Sequence, residues 1–185
     1  MTLKITTALA LCSLLFVAAC KDDDATADNI LRLDGDNATG PLLAAGEHEL
    51  AVYFPEGKMT AYAGKELTEV EFFVGEPLPQ TCLVRVYEGG TVAPANKLYE
   101  FDVTSGLQTL RWNRHILSDP VPLSGNDLWI AVFVVHSQNQ QSIGCDAGPR
   151  QDGGDWLFQS FDGEWKTYQE RTNESVNWNI RGKVK

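Results

Sequence analysis

From residue 47 to the C-terminus, apolar and polar residues alternate in short stretches separated by Gly, Pro, Asn and Asp. Alternation with period two places every second side chain on one side of an extended backbone, the pattern of a half-buried strand. In 47–54, His48, Leu50, Val52 and Phe54 share a side; in 67–74, Val70, Phe72 and Val74 do so; in 81–88, Cys82, Val84 and Val86. Tyr99, Phe101 and Val103 form a further set, and Leu110 with Trp112 another. Residues 128–135 (LWIAVFVV) are apolar on both sides, which predicts a central strand. Asp162-Gly163, between 156–161 and 164–168, is a type I′ hairpin signal, and Val176, Trp178, Ile180 and Val184 line a last strand. One short helix is expected, around 56–63. At least eight strands with almost no helix predict an all-β fold: a β-sandwich of jelly-roll or Greek-key topology, with Trp112, Trp129 and Trp178 in its core.

The first 40 residues follow another pattern. After Lys4, residues 5–19 form an apolar run of fifteen that as a helix spans about 22 Å, short of the ~30 Å hydrocarbon layer. A positive start, an apolar middle and small residues at the end make residues 1–19 a secretory signal peptide, Cys12 included. Val17-Ala18-Ala19-Cys20 has the residue order seen in bacterial lipoprotein signals, and this resemblance implies cleavage before Cys20 and lipid attached to that residue. The alternative is an ordinary cleaved signal followed by an incidental Cys. Lys21-Asp22-Asp23-Asp24 resembles the export signal that sends Bacteroidetes lipoproteins to the cell exterior, and is also what a solvated linker looks like. Residues 20–40 are read as an acidic flexible tether and 41–185 as the domain. Asp34-Gly35-Asp36-Asn37 does not continue as an EF-hand, because the sixth and twelfth positions are Thr39 and Ala45.

Several phrases resemble the cleaved-adhesin type of jelly-roll domain, best known from the haemagglutinin/adhesin regions of gingipain proteases. They are 62–70 (YAGKELTEV), 84–90 (VRVYEGG), 127–130 (DLWI), 144–149 (GCDAGP), 153–156 (GGDW) and 177–182 (NWNIRG), in that family's order. The resemblance implies a non-catalytic adhesin or binding module and leaves the ligand open.

The chemistry-bearing residues point the same way. With 25 acidic and 15 basic side chains the chain is strongly acidic, so nucleic acid is not an expected partner. His48, His115 and His136 show no metal or catalytic spacing, and His136-Ser137 lacks a nucleophile elbow. No enzymatic activity is therefore expected. In an oxidising compartment Cys82 and Cys145 are the candidate disulfide, the alternative being two free buried thiols. The 137–154 connection is long enough to be a working loop, with His136 and Asn139 as candidate ligand-binding residues. Asp146, Asp152 and Asp155 are candidate calcium ligands, although Asp beside Gly is also ordinary turn chemistry; no other cofactor is expected. Trp165 and Tyr168, near the Asp162-Gly163 turn, are the candidate exposed aromatics for stacking on sugar.

The expectation is a lipid-anchored module on the outer membrane, facing the cell exterior. Loops at one end of the sandwich would hold a host or neighbouring-cell protein. A glycan-binding module and a structural subunit of a surface assembly are the alternatives.

Overall fold

The computed structural model describes residues 29–185. The signal peptide, the lipidation candidate Cys20 and the acidic run after it lie outside the described residues. Eleven strands form two antiparallel sheets. The five-stranded sheet runs β1 (Ile30–Leu31), β11 (Ile180–Val184), β3 (Glu66–Glu76), β6 (Arg111–Pro122), with β8 (Gln141–Ile143) also on β3. The six-stranded sheet runs β10 (Glu164–Thr167), β9 (Trp156–Gln159), β2 (Gly46–Phe54), β7 (Leu128–His136), β4 (Thr81–Glu88), β5 (Asn96–Asp102). Only β4–β5 and β9–β10 are sequential pairs within one sheet. Every other connection crosses between the sheets, as in a jelly roll, so the expected all-β sandwich is the observed one.

Alternation explains the packing. Leu50, Val52 and Phe54 of β2, Val70, Phe72 and Val74 of β3, Val84 and Val86 of β4, and Ile130, Val132 and Val134 of β7 all enter the same inter-sheet core. β7, apolar on both sides, lies between β2 and β4 along its whole length. Trp178 and Ile180 close the core from the C-terminal segment, both fully buried.

The expected helix is α1 (Glu56–Met59), continued by a 3₁₀ turn at Thr60–Tyr62, with Met59 turned into the core. A second short helix, α2 (Tyr168–Thr172), stands where the sequence reading ended a strand. Its signal is a capping box: the Thr167 hydroxyl accepts from the Glu170 amide, and the Glu170 carboxylate accepts from the Thr167 amide.

Several expectations are corrected. Residues 29–40, assigned to the tether, belong to the domain: β1 pairs with β11, Leu31, Leu33 and Asp34 are buried, and Thr39 bridges Cys145. Asp34 takes Arg181 and Asn179 as partners, which is why a polar segment settles there. Leu110 is an exposed turn residue at φ 56°, outside β6. Trp112 is half-buried on the outer face of the five-stranded sheet, under the Arg181 guanidinium at 4.0 Å, and not in the core. The disulfide is absent: Cys82 and Cys145 are separate buried free thiols. Cys82 is laid against Val134 in the six-stranded sheet, whereas Cys145 is bridged to Thr39 and Trp178, so different ladders hold them. Burial pushes both thiols up, that of Cys145 to about 12, which leaves them protonated and inert.

Candidate functional site

The 137–154 connection, read as the working loop, is tied down along its length. β8 pairs with β3, and Gln140 exchanges backbone hydrogen bonds with Leu43. His136 is buried rather than available, its Nε2 beside the Ser142 hydroxyl and its ring 5.0 Å from that of His48. Burial, then the neighbouring His48, lowers its pKa to about 4. Asn139 is exposed in the β7–β8 turn, apart from the other candidates.

The three candidate calcium ligands do not converge. Asp146 accepts from the amides of Gly35, Gly148 and Asn177 and from the Asn177 side chain, so its oxygens are already occupied. Burial opposes its ionised form, but those hydrogen bonds hold its carboxyl below the usual range. Asp155 is enclosed and accepts from Arg150 and the Gln169 amide, while the Asp152 side chain is almost wholly in solvent. Among the described residues no group of three or more His, Cys, Asp or Glu forms a metal cage. Asp146 and Asp155 instead fasten the C-terminal segment to the 146–155 turns.

Tyr168 is also buried, 5.2 Å from Trp178 in an edge-to-face contact, because the start of α2 turns it inward. Trp165 lies elsewhere, and its location reveals the site. The register of the six-stranded sheet sets its outward side chains in rows. One row is Trp165, Phe158, Glu49, Phe133, Leu83; the next is Thr167, Trp156, Ala51, Ala131, Arg85, Glu100; the third is Tyr53, Trp129, Tyr87, Lys97. Such an outward face is ordinarily polar. Here Ala51, Ala131 and Trp129 are fully buried, with Tyr53, Tyr87, Trp156 and Trp165 packed around them and themselves half-buried. The two alanines leave room for the Trp129 indole, which lies 4.7 Å from Tyr53, 5.3 Å from Trp156 and 5.8 Å from Trp165. Its Nε1 donates to the Gly90 carbonyl, so no polar atom of the indole goes unmatched.

A charged group is set into this aromatic floor. Glu49, 5% exposed, accepts from the Tyr87 hydroxyl at 2.7 Å and from Arg85 at 2.9 Å. Arg85 also donates to Glu100, and its guanidinium lies 4.2 Å over the Phe133 ring. Burial raises the Glu49 pKa against the opposing pull of Tyr87 and Arg85. The Tyr87 hydroxyl is pushed up, by burial first and then by Glu49. At one end Tyr53 donates to Asp127, and burial first, then this carboxylate, lifts the Tyr53 pKa to about 12. Beside it Gly153, at φ +87°, exchanges close backbone contact with Tyr53; a Cβ there would meet the Tyr53 carbonyl at 2.3 Å. The 150s turn and β9, which carries Trp156, are thereby held against β2.

From the chain's aromatic residues the sequence reading selected Trp165 of this set but not Tyr53, Tyr87 or Trp156, and it assigned Trp129 to the inter-sheet core, whereas Trp129 is buried on the outer face; Phe133, Phe158, Glu49 and Arg85 it missed. The available signal was the second apolar side of 128–135, whose outer residues need an apolar neighbourhood of their own.

No protein-family model matches the chain, and no curated protein matches it in sequence. Among solved structures it is similar to the clostridial cysteine protease Cwp84 after propeptide cleavage, with a TM-score of 0.58 and 12% identity over 85% of this chain. A structure of the cysteine protease and lectin-like domains of Cwp84, a surface layer associated protein of Clostridium difficile, aligns at a TM-score of 0.48 and 13% identity over 84% of this chain. The chain spans 40% and 37% of those proteins' solved chains. At this identity the first likeness is one of fold.

Proposed function

We propose that this chain is a non-catalytic binding module of the cell surface, anchored by lipid on Cys20, that recognises a neutral glycan through the outer face of its six-stranded sheet. The observation that carries this reading is the half-buried set Tyr53, Tyr87, Trp156 and Trp165 around Trp129, with the hydrogen-bonded Glu49–Arg85 pair beside it. Aromatic rings offer faces to the C–H side of a sugar ring, and fixed polar groups meet its hydroxyls. From β10 to β4 the rows cross four inter-strand spacings, roughly 19 Å, room for a few sugar units in line. A flat protein partner fits less well, because the core of a protein interface is depleted of charge whereas here an ion pair is set among the rings. The formal charge of −10 disfavours acidic glycans. Surface display is supported by the lipoprotein-type signal and the acidic run after it, and the adhesin resemblance supports binding rather than catalysis.

The test is a glycan array probed with the mature chain carrying Cys20→Ser. Neutral oligosaccharides should be retained, and Trp165→Ala or Trp156→Ala should weaken retention at least ~10-fold while each variant keeps its cooperative melt. Absence of any glycan ligand, or unchanged binding by both variants, would overturn the assignment. Mass spectrometry of residue 20 in the native protein checks the anchor separately.

A further inference from the structure

The two flanks of the sandwich end in different ways. On one, the sheets finish with β1, two residues long, and β10, four residues long and running straight into α2. On the other they finish with β6, twelve residues, and β5, seven residues, and among the described residues neither carries a further strand. Long free strand edges present rows of unpaired backbone groups, which proteins ordinarily shorten or cover. β5 and β6 face each other across the sandwich mouth, tied by the Tyr99 hydroxyl to His115 Nε2 at 2.8 Å and by Phe101 stacked on His115 at 4.8 Å. A hollow opens on either side of that tie. One, of about 220 Å³, is walled by Phe72, Phe101, Leu107 and His115. The other, of about 620 Å³, is walled by Leu98, Tyr99, Pro120 and Val121, with Glu88, Asp119 and Glu100 at its rim, the last already paired with Arg85 and Lys97. Leu98, Phe101 and Ile116 are exposed along the seam.

We propose that this seam is a docking site for an extended peptide segment of a partner protein, in which apolar residues alternate and a Lys or Arg follows. The segment adds as a further strand to the edge of β6 over 112–117, before the Ser118 amide, which the Tyr99 hydroxyl holds, and Pro120 and Pro122, which bring no N–H; it continues the outer row Lys183, Glu69, Ile116. Its main chain pairs with β6, its inward side chains enter the hollow beside Phe101 and His115, and its cation meets Glu88 and Asp119. A glycan has no regularly spaced amides to satisfy such an edge. The seam shares Glu100 with the outer rows of the six-stranded sheet but none of the aromatic face's rings, so this assignment stands or falls independently of the glycan reading.

The probe is a synthetic peptide of about ten residues, alternating Val and Thr and ending in two lysines, titrated calorimetrically into the mature chain with Cys20→Ser. Binding is expected. It should weaken at least ~10-fold when alternate peptide amides are N-methylated, and likewise in Glu88→Lys/Asp119→Lys, while Trp165→Ala leaves it unchanged. Equal affinity for the methylated peptide, or no binding by either, would overturn the proposal. Sedimentation showing a dimer that Ile116→Lys dissolves would overturn it too, by giving the seam to a second copy of the chain.

Discussion

Between the sheets, Phe72 and Trp178 are almost wholly buried in the core that the two sheets share. On the outer face of the six-stranded sheet, Tyr53, Tyr87, Trp156 and Trp165 are packed from below and open above. Both groups are aromatic and both are ordered by cross-strand register. They differ in what opening them to water costs: the first group exists only because the sheets close over it, while the second is stable half-exposed. Aromatic content therefore says little about role until the covering layer is known, and the useful contrast lies between residues whose removal collapses the fold and residues whose removal leaves the fold and empties the face.

The sharpest break in that contrast is Trp178→Ala. It removes a fully buried ring and its hydrogen bond to the Trp156 carbonyl, and should cost about 3–5 kcal/mol in urea unfolding. A loss below about 1 kcal/mol would place Trp178 with the outer set. Next is Arg85→Met, which strands the buried Glu49 with Tyr87 as its remaining donor. It should cost about 3 kcal/mol at pH 7, and less on acidification as Glu49, already raised in pKa, takes up a proton. An equal loss at every pH would show that the lost packing on Phe133, and not the charge, decides the effect.

The His48–His136 pair belongs to the enclosed side of the comparison and gives it a pH signature. Folding lowers the His136 pKa from 6.5 to about 4, so as pH falls the unfolded chain binds the proton first. The stability this group contributes is complete above pH 6.5 and is lost on the way down to about pH 4, amounting to about 3 kcal/mol. His48, also lowered by burial, acts in the same direction. Urea midpoints from pH 7 to 4.5 should fall less steeply in His136→Gln than in the parent, and parallel slopes would put the acid sensitivity elsewhere. The smallest effect is Thr167→Ala, which removes one half of the α2 capping box at the edge of the aromatic face and should cost about 1 kcal/mol. Its heat-denaturation midpoint checks this.

Much of the sandwich was legible residue by residue. His48 to Phe54 and Val70 to Val74 alternate as they pack, and 128–135 lies at the centre of its sheet because both its sides are apolar. Asp162-Gly163 does join two paired strands, though through a four-residue loop, since Gln159 pairs with Glu164. The errors share a cause. Tyr168 was read as exposed because it follows an exposed hairpin, but a helix that begins there turns it inward. Cys82 and Cys145 were joined because an oxidising compartment favours pairing, although each is held by a different ladder. The Asp residues of 146–155 resembled ligands until Asn177, Arg150 and backbone amides were found to occupy them.

Local alternation by itself determined the strand character of 47–54, 67–74, 81–88 and 128–135 and which of their side chains share a side, because the pleat has a period of two whatever lies around it. It could not determine whether a given side meets a second sheet, another strand's aromatics or water, since that depends on partners brought together from far along the chain. Glu49 is the clearest instance: an ordinary polar position in the alternation of β2, it became a buried carboxylate only when β7, β4 and β9 were laid beside it with Phe133, Arg85, Tyr87 and Phe158 around it.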